Sequence, residues 1–172
     1  WHANHFAIFK FGRNQRGGYS IGILTETFAG AGGARSFADG VDIGGEIPNP
    51  ISRMANVETI EAQFPIRYLF RRRAKDSGGP GRWRGGTGGE MALVAHKAPD
   101  GGIDYVISGK GARHPMSEGL AGGWPGAPNA YVWVHAPDDG ANAPVDGADG
   151  LDAIPGERER VSWGVHPLKG RD

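Results

Sequence analysis

Short apolar runs, each broken by Gly, Pro, Asn or Asp, recur along the chain. Phe6 to Phe11, Tyr19 to Thr27, Ile66 to Arg71, Met91 to His96, Ile103 to Ser108 and Ala130 to Val134 carry β-branched or aromatic residues at strand length. Asp100-Gly101-Gly102 lies between two of these runs and predicts a hairpin. Helical spacing is rare. Its best instance is Asn56 to Gln63, closed by Phe64-Pro65, where a helix would put Val57, Ile60 and Phe64 on one face. The same run is open to a loop or extended reading. The pattern predicts a mainly β chain with little helix and Gly-rich loops, an α+β arrangement being the alternative.

Composition sharpens this picture. Gly 31 and Pro 12 make up a quarter of the 172 residues, at the edge of the low-complexity range. Against disorder stand 38% hydrophobic and 9% aromatic residues and a formal net charge of zero. A neutral chain argues against dedicated nucleic-acid binding. No run approaches the roughly 20 apolar residues needed to span a bilayer as a helix, so no membrane partner is expected. The chain has no Cys, which excludes disulfides, thiolate metal sites and cysteine nucleophiles. That is compatible with a reducing compartment, and the expected localisation is cytoplasmic. Trp1 is not an initiator, and His2-Ala3-Asn4-His5 lacks the basic start of a signal peptide. The chain is therefore expected to be a piece of a longer polypeptide.

Charge is unevenly placed. Ile66 to Arg84 holds seven basic residues against Asp76 alone, whereas Ala136 to Glu159 holds seven acidic residues and one Arg. The acidic stretch is rich in Gly, Ala and Pro and reads as a solvated loop, a tail or a partner-docking segment, with order resuming at Val161-Ser162-Trp163. The expected organisation is a β-rich region over 1–135, an acidic loop or tail over 136–160, and a C-terminal segment over 161–172.

Three Gly-rich or polar segments carry the candidate chemistry. Asp76-Ser77-Gly78-Gly79-Pro80 superficially matches the nucleophile segment of trypsin-like proteases. That chemistry needs a His base upstream, and only His2 and His5 precede Ser77. Ser77 reads instead as a turn hydroxyl. The full run Asp76 to Gly89 has seven glycines in fourteen positions, with Arg82 and Arg84 among them. Such a loop forms either an anion nest of backbone N–H groups or a tight structural corner around Trp83. It has neither the P-loop pattern nor the dinucleotide-binding spacing. A second segment, Thr25 to Arg35 followed by Asp39-Gly40, holds Gly32, Gly33 and Arg35 and suits close backbone packing or carboxylate recognition. A third, Asn49 to Glu61, carries Asn56, Glu58 and Glu61. The two carboxylates are neighbours if helical, and pairing with the following Arg cluster is expected in preference to metal binding. His96, His114, His135 and His166 lack ligand spacing, and no metal site within this chain is predicted.

Taken in order, these segments resemble the hydantoinase B/oxoprolinase family. The resemblance rests on Glu26-Thr27 with Gly30 to Arg35 and Asp39-Gly40, then Asn56-Val57-Glu58 with Glu61 and Pro65. It continues through Asp76-Ser77-Gly78-Gly79 with Gly81, Arg82, Arg84-Gly85-Gly86 and Gly88, and through Gly119-Leu120-Ala121-Gly122-Gly123-Trp124-Pro125-Gly126. It covers about Phe6 to Val134 and implies the C-terminal third of a B-type subunit. By resemblance, such a subunit works in a hetero-oligomer with an A-type ATP-binding subunit. The complex either carboxylates an enol-phosphate-like intermediate of a ketone, as in acetone and acetophenone carboxylases, or hydrolyses a cyclic amide, as in N-methylhydantoinase and 5-oxoprolinase. A non-catalytic structural or docking subunit is the alternative from another class. The resemblance implies ATP with Mg or Mn bound outside this chain, and a Zn or Mn site in the upstream part of the same subunit. Arg35, Arg82 and Arg84 are the candidate catalytic cations, with inter-subunit salt bridging as their other reading. Gly32, Gly33, Asn56, Glu58, Ser77, Gly78 and Gly79 are the candidate binding positions.

Overall fold

A computed structural model describes residues 7–14, 16–24, 31–43, 55–98, 103–108, 111, 114–115, 118–135, 154–160 and 164–168. Within them the chain forms eight strands and one short helix. These are β1 (Ala7–Arg13), β2 (Tyr19–Leu24), α1 (Val57–Gln63), β3 (Ile66–Arg73), β4 (Gly89–Ala95), β5 (Ile103–Ser108), β6 (Val132–His135), β7 (Glu157–Arg160) and β8 (Gly164–Leu168). The mainly β expectation holds.

All pairings are antiparallel, in a four-stranded sheet of order β2-β1-β5-β8 and two ribbons, β3-β4 and β6-β7. Asn14 turns the chain between β1 and β2: its Oδ1 accepts from the N–H groups of Arg16 and Gly18, and Gly17 takes φ 78. Helix α1 starts because the Asn56 side chain accepts from the Thr59 N–H. It stops because Phe64 precedes Pro65 and is driven to extended backbone, φ −123 and ψ 141.

The face Val57, Ile60 and Phe64 packs as its spacing predicts. Ile60 joins Ile66, Tyr68, Ala95 and Ile103 in the buried core, with Val57 and Phe64 against it. Ile103 brings the four-stranded sheet into this core, and the Phe64 ring lies so close to Gly22 of β2 that a Cβ there would sit 2.5 Å from it. Arg71 Nη1 donates to the Ala55 carbonyl at 2.8 Å, and Glu61 Oε1 accepts the Tyr68 N–H at 2.8 Å. Both ends of α1 are thereby tied to β3.

Two expectations are corrected. The predicted β4–β5 hairpin does not form, because β4 pairs with β3 while β5 pairs with β1 and β8. Lys97, at φ 52, breaks the extended run soon after β4, and β5 pairs with β1 at six positions. Residues 99–102, which carry the turn signal, lie outside the described ones. Order also resumes earlier than Val161: β7 lies inside the acidic stretch and pairs with β6, with Glu159 Oε2 3.5 Å from His135 Nε2. Just before β7, Ile154 is buried. Residues 136–153 lie outside the described ones.

Ile60→Ala should lower stability by about 3 kcal/mol, the usual scale for emptying a buried Ile site. Urea unfolding of the purified protein measures it, and an unchanged midpoint would show that α1 does not anchor this core.

Candidate functional site

The segment joining β3 to β4, residues 74–88, is long and closed at its base. The Ala74 N–H donates to the Gly88 carbonyl at 2.8 Å. The Ser77 hydroxyl donates to the Ala74 carbonyl and accepts the Gly88 N–H, both at 2.8 Å. Ser77 is thus the turn hydroxyl its neighbours predicted. Higher in the loop the Gly85 N–H donates to the Gly79 carbonyl at 2.9 Å, and a Cβ on Gly78 would overlap the Gly85 carbonyl. The glycines let the two limbs touch backbone to backbone.

Two other segments lock onto this loop. On one side, residues 31–43 pair with it through Gly86 N–H to Gly32 O at 2.9 Å, Gly40 N–H to Arg84 O at 2.7 Å and Ile43 N–H to Thr87 O at 3.0 Å. The Gly32 N–H donates to the Val41 carbonyl. Side chains add to these contacts: Asp39 Oδ1 accepts the Arg84 N–H at 2.8 Å, and the Trp83 indole donates to the Ser36 carbonyl at 3.0 Å. On the other side, residues 119–127 dock through Trp124 N–H to Pro80 O and Ala127 N–H to Ser77 O, both at 2.9 Å. A Cβ on Gly79 would overlap the Trp124 carbonyl. Backbone strain gathers here as well, with Ile43, Asp76 and Ala121 all at positive φ.

Asp42 pins the assembly. Its Oδ1 accepts the Thr87 N–H at 2.7 Å and Arg84 Nη1 at 3.1 Å, and its Oδ2 accepts Arg73 Nη1 at 2.8 Å. The Thr87 N–H, with the Arg84 guanidinium, draws its pKa from 3.8 to about 2.

The candidate residues fall into three groups. Gly32, Gly33, Ser77, Gly78, Gly79 and Arg84 lie in the interlock, and Arg84 Nη1 reaches both Asp42 and the Gly85 carbonyl. Arg35 and Arg82 lie on its exposed side, and their guanidiniums meet no partner among the described residues. Asn56 and Glu58 belong to α1, where Asn56 caps the helix and Glu58 lies exposed in its first turn. The N–H groups of Gly32, Gly40, Gly85, Gly86 and Gly88 all donate within the chain, so for them the structural corner, rather than the anion nest, describes the geometry.

Sequence reasoning missed Asp42. The signal was present, since Asp39 and Asp42 are the sole carboxylates in 31–43 and face a loop rich in Arg. Among the described residues no three His, Asp or Glu side chains converge to hold a metal, and no helix is long and apolar enough to cross a membrane.

The chain belongs to the hydantoinase B/oxoprolinase family, which matches residues 2–163. It is 32% identical over 129 residues to the acetone carboxylase alpha subunit of Xanthobacter autotrophicus, covering 71% of this chain and 16% of that one. It is 35% identical over 95 residues to the acetophenone carboxylase delta subunit of Aromatoleum aromaticum, covering 55% and 14%. A nucleotide-free structure of acetone carboxylase superposes with a TM-score of 0.65 at 29% identity, over 74% of this chain and 16% of its own. The chain thus spans about one-sixth of the length of these relatives.

The lowered pKa fixes a sign. A carboxylate held below its ordinary value stabilises the fold fully above pH 3.8, and that contribution is lost as pH falls towards 2. Asp42→Asn should therefore cost about 1–3 kcal/mol at pH 7, since three donors lose a charged acceptor. The gap from the parent should narrow between pH 4 and pH 2. Urea unfolding across that range tests it; a pH-independent gap would mean that the Asp42 charge does not hold the loops.

Proposed function

We infer that this chain is part of a B-type subunit in a multisubunit, ATP-dependent carboxylase acting on a ketone. The observation that carries this reading is the likeness over 129 residues to an acetone carboxylase alpha subunit. In this reading the complex carboxylates an enol-phosphate-like intermediate, with an A-type subunit and the remaining B-type polypeptide as partners. ATP with Mg or Mn, and any further Zn or Mn centre, bind outside this chain, and ATP supplies the phosphoryl group that activates the ketone. Cyclic-amide hydrolysis of the hydantoinase or oxoprolinase kind is the alternative within the family.

The chain's own contribution is to hold negative charge. Arg35 and Arg82 project from a backbone that hydrogen bonds and glycine contacts keep fixed, and neither spends its charge on a carboxylate among the described residues. Fixed donors of this kind stabilise developing anionic charge without reorganising. Arg84 differs: its guanidinium is engaged by Asp42 and the Gly85 carbonyl, so it acts as a positioning residue. The docking alternative gains support from the same self-contained hydrogen bonding, and it assigns no turnover to any of the three.

The assembled complex should fix labelled bicarbonate into acetone or acetophenone only with ATP. Opening of hydantoin or 5-oxoproline instead would move the reading to the hydrolase branch. Arg35→Ala and Arg82→Ala should each lower kcat/KM by about 10²-fold with assembly intact. Unchanged turnover in both would leave the interlock a purely structural role.

A further inference from the structure

The interlock ends in an exposed apolar rim. Leu120 is 88%, Trp124 72%, Phe37 69% and Trp83 36% exposed. They come from three segments of the chain, which backbone contacts join around residues 80–83 of the loop. The Trp83 indole is held on the Ser36 carbonyl, beside Phe37. The 120–124 turn is held on Pro80 by the Trp124 N–H, and a Cβ on Gly81 would lie 3.5 Å from the Gly123 Cα. Arg82 lies between these anchors in sequence, and Arg35 lies one residue from the carbonyl that holds Trp83. A single exposed apolar side chain is ordinary, but exposed Trp and Phe close in sequence to Arg on a hydrogen-bonded backbone are the residue types enriched at interface centres. The backbone beneath the rim is already held by hydrogen bonds, so contact has chiefly side chains to order.

We propose that this rim is a docking surface for the part of the B-type polypeptide that lies outside these 172 residues, and that docking encloses Arg35 and Arg82. The proposal rests on the reading of the chain as part of a B-type subunit. The occupant follows from length, because more than four-fifths of each carboxylase relative lies beyond the stretch this chain matches. It follows also from chemistry. A guanidinium in open water holds an anion weakly, whereas one walled off by apolar side chains and a second protein surface acts in a lower dielectric and holds it strongly. The rim supplies one wall of such an enclosure.

The test uses the purified complex, with the photo-crosslinker p-benzoylphenylalanine placed at Leu120 in one preparation and at Phe37 in another. Peptide mapping should find adducts from both positions on B-type sequence outside residues 1–172. Adducts confined to these 172 residues, adducts on the A-type subunit, or no adducts would each overturn the proposal. Trp124→Ser provides a second readout. Its side chain is mostly exposed, so unfolding of the chain should change little, while the yield of the Leu120 adduct should fall at least tenfold. An undiminished yield would remove Trp124 from the contact and overturn the rim as its anchor. Crosslinking does not depend on turnover. Adducts without bicarbonate fixation would overturn the carboxylase reading alone, and fixation without adducts would overturn the docking surface alone.

Discussion

Three backbones meet in this protein at distances that side chains would forbid. Gly40 against Gly32, Gly86 against Val41, Gly78 against Gly85, Gly79 against Trp124 and Gly119 against Gly123 are all contacts that a single Cβ would obstruct. Elsewhere, a glycine mainly adds freedom that folding must remove. Here its missing side chain lets peptide groups satisfy one another across segments far apart in sequence, which meets the demand that buried N–H and C=O groups be paired. The glycine excess, which alone pointed towards low complexity, is thus the means of packing. Asp42 completes the arrangement as the charged acceptor shared by two arginines and a backbone N–H.

The sequence revealed elements more readily than pairings. Six strand runs were visible from β-branched and aromatic residues, and α1 from an Asn cap, a Phe-Pro stop and the Val57, Ile60, Phe64 face. These signals are local. The hairpin between β4 and β5 failed because Asp100-Gly101-Gly102 reports only that the chain can turn, whereas β5 pairs with β1 at six positions and with β8 on its other edge. Strand β7, Glu-Arg-Glu-Arg, was hidden for the opposite reason: it has no apolar residue and is recruited by the backbone of β6. Of the candidate site, Gly32, Gly78, Gly79 and Ser77 were legible as close-contact or turn positions. Asp42 was legible only as one of two carboxylates in 31–43, because its partners Thr87 and Arg73 are brought to it by folding.

Five of the seven cations between Ile66 and Arg84 divide by what each does. Arg72 faces its cross-strand partner Glu90 and lies over the Phe70 ring. Arg73 and Arg84 converge on Asp42, and Arg71 holds the start of α1. These four stabilise the β3-β4 ribbon and its loop, so their charge is largely used in folding. Arg82, at the tip, and Arg35, on the facing segment, have no such duty among the described residues.

That division bears on how an open surface could serve chemistry. Two guanidiniums exposed to bulk water attract anions only weakly and are screened within about a Debye length, ~8 Å at physiological salt. Their usefulness therefore depends on what covers them. The aromatic side chains beside them are poor neighbours for water and good neighbours for another protein surface. In the proposed reading, the hydrogen-bonded loops, the two arginines outside the Asp42 cluster and the apolar side chains near them share one requirement: Arg35 and Arg82 would hold an anion effectively only where a second surface closes over them.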